Sequence, residues 1–343
     1  MAEAFMVGWS VLKDDQEWGW WDKRIDPSNK YPGHGQAIKN WIETPEGQKK
    51  LLSQLSERRA MLDDYPLTGR SVAPWASIME TEGLRGKAWM DSARESVGGG
   101  RSGFGLSEPA DMPGYAYGLP TGACKSGRHH AMQPGTICSG CYGIRLPNYQ
   151  MNNTQTAQWR RLHSLTENPS RWASAMSYLI PIAAMAGNTD KHRWHDVGDI
   201  QSAQHLSMIA DVARNTPTIK HWLPTHEPKM VKDFLAAGGV IPDNLMIRIS
   251  GDRFGEGTDA LAAGYQSLTD HPQVGRSTSG SGEGVICPKS IPGNPKFCDT
   301  NNCEACWNPE VANVDYVPHT GSTRGWKPAI SSQLPQYWEP PEE

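Results

Sequence analysis

The chain of 343 residues carries 33 Lys and Arg against 37 Asp and Glu, a formal net charge of −4, so it does not coat nucleic acid through its overall field. Its length allows one large domain with an accessory region, or two domains, with a sizeable core. The longest nearly uninterrupted apolar run, about 178–187, is roughly half of a bilayer span and contains Pro181, and the N-terminus lacks the charged-then-apolar order of a signal peptide, so a cytoplasmic protein without membrane segments is expected.

All seven cysteines fall into two groups, Cys124, Cys138 and Cys141, then Cys287, Cys298, Cys303 and Cys306. In a reducing compartment, cysteines spaced C-x2-C are metal ligands or redox centres before they are disulfides, and an odd number fits poorly with complete pairing. Four thiolates close a zinc site or hold an iron–sulfur cluster, whereas three leave one position of a cluster free.

In chain order, residues 1–34 are rich in Trp and turn formers and read as an arm. Thr44 as cap and Pro45 at the first helical position open a helix over 44–63. A poorer helical stretch follows over 74–96, with Pro74 in its first turn. The glycine run at 98–105 is not a phosphate loop, because no strand precedes it and no helix follows; its composition reads as a flexible joint.

From residue 115 strands and helices alternate. Strands are expected at 115–119, 192–197, 219–223 and 245–249, and helices at 149–165, 169–185, 202–215 and 229–237. This order indicates an α/β protein with a parallel sheet or barrel. Beyond Gly251 regularity falls away as far as 309, where the second cysteine group lies, and metal coordination would order so irregular a stretch. A last strand is expected at 314–317, then an extended tail. The division is a mainly helical accessory region at 1–114, the barrel at 115–270, a cysteine-rich segment with the last strand at 271–325, and the tail at 326–343.

In parallel α/β proteins functional groups gather at the carboxyl ends of strands. The first cysteine group follows the first expected strand, and His195, Asp196, Gly198 and Asp199 close the second. Thr225, His226 and Glu227 close the third, and Arg248, Ser250 and Asp252 the fourth. Each has a plainer role: Asp199 and Thr225 as helix caps, His195 with Asp196 as a satisfied pair, Tyr142 as packing, and His129 and His130 as loop histidines without a ligand role. Between 124 and 172, six basic residues (Lys125, Arg128, Arg145, Arg160, Arg161 and Arg171) face one acid, Glu167. This is a solvated face or a surface that meets phosphate, including DNA.

The three-cysteine loop ending in Cys-x-x-Cys-Tyr, the Gly-acid pair after the second strand, and the polar ends of the third and fourth strands resemble the radical S-adenosylmethionine enzymes. More closely, RWHDVGDIQSAQHL, HWLPTHEP and CEACWNP resemble phage-encoded proteins called gene product 88. The superfamily's usual spacing is C-x3-C-x2-C, and this chain has thirteen residues between Cys124 and Cys138.

The resemblance implies a partial (βα)6 TIM-like barrel in which Cys124, Cys138 and Cys141 hold a 4Fe-4S cluster whose open iron binds S-adenosylmethionine. Tyr142 would then lie near adenine, Gly198 and Asp199 near the methionyl ammonium, and Arg248 or Ser250 near the ribose or carboxylate. Cys287, Cys298, Cys303 and Cys306 would hold a second 4Fe-4S cluster or zinc. His195, Asp196, His226 and Glu227 are the candidate catalytic groups, and an external electron donor is implied. The family context points to a host-cytoplasm enzyme that isomerises an amino-acid-modified thymidine or related nucleotide in DNA hypermodification. Two other readings stand beside it: a non-catalytic zinc-stabilised nucleic-acid-binding protein, and a metal-dependent hydrolase using His195, Asp196 and His226.

Overall fold

The computed structural model describes residues 45–317 apart from 101–102, 132, 134, 146–151, 263, 292 and 296. The Trp-rich arm, the Thr44 cap and the 326–343 tail lie outside the described residues.

Among the described residues three helices come first, α1 (Pro45–Ala60), α2 (Trp75–Thr81) and α3 (Lys87–Ser96). Instead of one poor helix over 74–96, the chain breaks between α2 and α3 at Gly83 and Gly86, both with left-handed φ, and Pro74 precedes α2 instead of entering its first turn. The glycines at 98–105 are packed: a Cβ on Gly98 would come within 2.6 Å of the Arg160 backbone, and one on Gly99 within 2.5 Å of the Gly105 Cα. Glycine there permits close backbone approach, so the described part of this run is a seam and not a joint.

Then come β1 (Tyr115–Tyr117), the short helices α4 (Ser126–Ala131) and α5 (Tyr142–Arg145), and the long α6 (Asn152–Glu167) and α7 (Pro169–Ala186). The alternation continues with β2 (Lys191–Trp194), α8 (Ala203–Asn215), β3 (Lys220–Thr225), α9 (Pro228–Ala236) and β4 (Leu245–Ser250), and closes with β5 (Val274–Ser279), β6 (Val285–Ile286) and β7 (Asn313–Tyr316). All pairings are parallel and the order is β1-β2-β3-β4-β5-β7-β6. From β1 to β5 successive strands are added on the same side, so right-handed crossovers put the helices that connect them on one face. The expected α/β alternation is present, with β5 and the two-residue β6 in a stretch whose sequence reads as irregular.

Alternation along the strands sorts side chains between two faces. Tyr117, Trp194, Leu223, Ile247, Ile249 and Val274 join the main core with the helices. In α7, Trp172, Met176, Leu179, Ile180 and Ala183 recur at helical spacing and are buried, and each large side chain so buried contributes about 1.5–3 kcal/mol. The other, inner face carries Arg193, Trp222, Met246, Arg248, Ser250, Ser277 and Val314, in register across β2 to β7. The cysteine-rich segment covers part of it, with Cys287, Cys306 and Trp307 forming a second apolar cluster with Trp222 and Val314. Among the described residues no helix is long and apolar enough to cross a membrane.

Candidate metal centre

The described residues between Cys124 and Cys138 form a compact unit at the carboxyl end of the sheet. A 3-10 turn over Thr121–Ala123 delivers Cys124, and α4 starts two residues later. Buried Glu227, from the end of β3, accepts from the Ser126 amide at 2.6 Å and from its hydroxyl at 2.7 Å, capping α4. The return is pinned to the end of β4, where the Ile137 amide donates to the Asp252 carbonyl at 2.8 Å and Thr136 bridges Arg253. A 3-10 turn over Cys138–Gly140 leads to Cys141 and α5. From the accessory region, Arg59 of α1 donates to the Ala123 carbonyl at 2.7 Å and to Gln201 Oε1 at 3.2 Å, buttressing the loop from behind.

Cys124 Sγ and Cys138 Sγ lie 3.6 and 3.7 Å from the point that a Cβ on Gly127 would occupy. A side chain there would intrude between the sulfurs, so glycine keeps the cradle open. Burial pushes the Cys124 thiol well up, and Asp199, Cys141, Cys138 and Glu227 add to the effect. Those neighbours are acids, and the guanidiniums of Arg59 and Arg128 stand within electrostatic reach of Cys124 and Glu227 as well. All seven cysteines are free thiols.

A second set overlaps the first. Ligand atoms of His130, Cys138 and His226 lie within 4.8 Å of one another and could hold a metal ion. Asp252 Oδ1 stands 3.2 Å from His130 Nδ1 and 3.4 Å from His226 Nδ1. Burial pushes the Cys138 thiol up, but His226 and His130 outweigh it and bring it down to about 6. Burial also works against charge on Asp252 and His226, yet their partners prevail: the two rings hold Asp252 below the usual carboxylate range, and Cys138, Asp252 and Asp199 hold His226 well above the usual imidazole range. His130 is the residue that sequence reasoning set aside as a loop histidine.

Asp199 is buried and accepts from the Thr225 hydroxyl at 2.6 Å and from the Ile200 and His226 amides, both at 2.8 Å. Burial and nearby Glu227 push its carboxyl up to about 7 against those donors. The caps are divided otherwise than expected: Ser202 caps α8, and Thr225 accepts from the Glu227 amide while donating to Asp199. Gly198 is left-handed, with φ of 82°, and a Cβ there would come within 2.5 Å of the Leu119 carbonyl oxygen. Tyr142 donates to the Asp196 carbonyl, and its ring is 43 % exposed.

The other expected site residues are dispersed. His195 is left-handed at φ 53° and buried, with its ring 5.3 Å from that of His205 on α8, in the helix–sheet layer. Burial and then Arg193 push it down to about 3, so it is neutral. Asp196 is buried with Oδ1 against Gly118. Ser250 Oγ meets Ser277 Oγ at 3.2 Å. Arg248 belongs to the inner face of β4. It is fully buried, and its guanidinium donates to the backbone carbonyls of Ala305, Cys306, Asn308 and Val311. A Cβ on Gly275 would come within 2.5 Å of Arg248 Nη1, so glycine there makes room for it.

That segment brings the second cysteine group together. Cys287, Cys303 and Cys306 share the inner apolar cluster, and Cys298 is within electrostatic reach of Cys287 and Cys303. Burial pushes Cys298 up to about 11 and Cys306 up to about 12. Of the basic residues at 125–171, Arg161 is buried on Ser107 and the Gly105 carbonyl, and Arg171 pairs with Glu82 over the Trp75 ring. Arg171 thus ties down the accessory helices, and Arg161 the stretch that leads from them into β1.

The fold and the two cysteine groups define a class: a singly wound parallel α/β protein with thiol-lined sites at the strand ends and on the inner face. Residues 85–309 match the gene product 88 family, which spans both cysteine groups, and the chain belongs to that family. Neither the curated proteins nor the solved structures give a match.

Proposed function

We propose that this chain is a radical S-adenosylmethionine enzyme in which Cys124, Cys138 and Cys141 hold a 4Fe-4S cluster and Cys287, Cys298, Cys303 and Cys306 hold a second cluster or zinc. The carrying observation is the pair of sulfurs, Cys124 Sγ and Cys138 Sγ, facing one glycine-lined point with Cys141 in electrostatic reach. When bound, such a cluster relays an electron from an external donor that cleaves S-adenosylmethionine and yields the 5'-deoxyadenosyl radical. The chain's own groups position and exclude: Asp199 offers a buried carboxylate at the strand end, Tyr142 an exposed ring beside Cys141, and Glu227 and Arg59 fix the loop. The substrate class we favour is a nucleotide or modified thymidine, with isomerisation as the reaction, working in the host cytoplasm.

Anaerobic reconstitution tests it. A brown protein with about four or eight irons that forms 5'-deoxyadenosine on reduction, and loses both properties with Cys138→Ala, is expected. Zinc at both sites and no deoxyadenosine would refute it.

A second reading has its own observation. His130, Cys138 and His226 form a mixed imidazole–thiolate set of the type that binds zinc, with Asp252 behind both rings. A mononuclear hydrolytic or structural zinc site would then replace the cluster, and His130→Ala would remove one zinc while Cys124→Ala would not.

A further inference from the structure

Arg193 lies on the inner face of β2, between the two cysteine groups. Its Nη2 donates to the hydroxyl of Tyr142 at 3.1 Å, one residue from Cys141. Its guanidinium carbon sits 4.6 Å from the centre of the Trp222 ring, which packs at 5.3 Å against Trp307, the residue after Cys306. Nη1 approaches only the thioether of Met112, at 3.5 Å.

Of the acids around it, Asp196 acts on this cation through space without reaching ion-pair contact. Among the described residues no carboxylate lies within ion-pair distance of it, and its solvent-shielded Nε has no acceptor. The other cations of this face are satisfied: Arg248 by four carbonyls, Lys191 by Asp190 and Glu304. A guanidinium offers five N–H groups in a fork that fits phosphate or carboxylate, and one stacked on an indole and tied to a phenol hydroxyl is preorganised for it. Next to it the half-exposed Tyr142 ring offers a flat apolar face.

We propose that Arg193 is the anion-binding residue of this molecule, holding the phosphate of a nucleotide whose planar base lies against Tyr142. The inference rests on the nucleotide reading above and gives that ligand a point of attachment. The same chemistry could be met by the carboxylate of S-adenosylmethionine, so both are probed.

Equilibrium dialysis of anaerobically purified, full-length protein decides it, with thymidine 5'-monophosphate, thymidine and S-adenosylmethionine as separate ligands. Thymidine 5'-monophosphate should bind more tightly than thymidine. Arg193→Gln should weaken the monophosphate at least about tenfold, Arg193→Lys less, and neither should change thymidine or S-adenosylmethionine. Equal binding of monophosphate and thymidine, an unaffected Arg193→Gln, or a loss confined to S-adenosylmethionine would each overturn the proposal. Metal content is measured on the same samples, and its loss in both variants would make Arg193 a counter-ion of the thiolate centres instead. If Arg193→Gln does not fold, Arg193→Lys decides. Arg193-dependent monophosphate binding in a protein that carries no iron and forms no 5'-deoxyadenosine would sink the radical reading and leave this site standing.

Discussion

The two cysteine groups are held in opposite ways. The first sits on a short helix and two tight turns, fastened at the strand ends by Glu227 and Asp252 and ringed by imidazoles and carboxylates. The second sits in an apolar cluster with two tryptophans, fastened by one buried arginine to four carbonyls. Cys138 sets the groups apart: neighbouring rings bring it down to about 6, although burial pushes Cys124 beside it well up, whereas burial drives Cys298 up to about 11 and Cys306 up to about 12. A thiol poised for ionisation among titratable partners suits exchange of ligands and electrons, whereas one pressed into an apolar cluster suits permanent ligation. The two groups thus differ in the electrostatics and polarity of what surrounds them.

The largest effect should come from cutting the second group's anchor. Arg248→Leu leaves the carbonyls of Ala305, Cys306, Asn308 and Val311 without their donor in a dry interior. Urea unfolding should show a loss of at least about 3 kcal/mol; a loss below about 1 kcal/mol would erase the contrast.

Next comes acid, which acts on the core beneath both groups. Burial pushes His221 down to about 3, and burial with Arg58 does the same to His163. Because the unfolded chain takes up these protons below about pH 6.5 and the folded chain does not, their stability is complete above pH 6.5 and falls as pH drops toward 3. Between pH 7.5 and 5.5 each should cost about 1.4 kcal/mol, and because burial lowers His192, His195 and His205 as well, His221→Gln should remove only its own share, about 1.4 kcal/mol, of the total slope. An unchanged slope would show that His221 titrates normally.

The smallest effect on stability should come from Gly127→Ala. Its methyl would stand 3.1 Å from Cys124 Cβ and beside both sulfurs. Metal affinity at the first group should fall about tenfold with a stability change below about 1 kcal/mol, as read by chelator competition and urea unfolding. A comparable fall at the second group would blur the distinction.

Much of the barrel-like half was legible because its strands and helices carry apolar periodicity, as in α7 and α8, and because strand ends must hold the loops. β5 was not, since VGRSTS has a polar, small-residue composition that becomes strand only by lying between β4 and β7, with Gly275 making room for Arg248. Arg248 reads as a strand-end functional group until its inward face and the carbonyls of a segment some sixty residues away are known. His130 was passed over because an isolated loop histidine carries no signal of its own; only the return of the loop to Asp252 brings it to His226. The three cysteines and Asp199 were visible as residue types at strand ends, but their mutual approach depends on α4, which the long spacing conceals.

The last three strands pair out of sequence, with β7 between β5 and β6. In a chain emerging from the ribosome, β6 is made before the strand that gives it a partner. The stretch holding Cys287, Cys298, Cys303 and Cys306 is closed into a loop only when β7 arrives, so gathering of these thiols belongs to the final step of sheet assembly. Gathering of these four thiols and completion of the sheet's edge are therefore one event, and neither precedes the other.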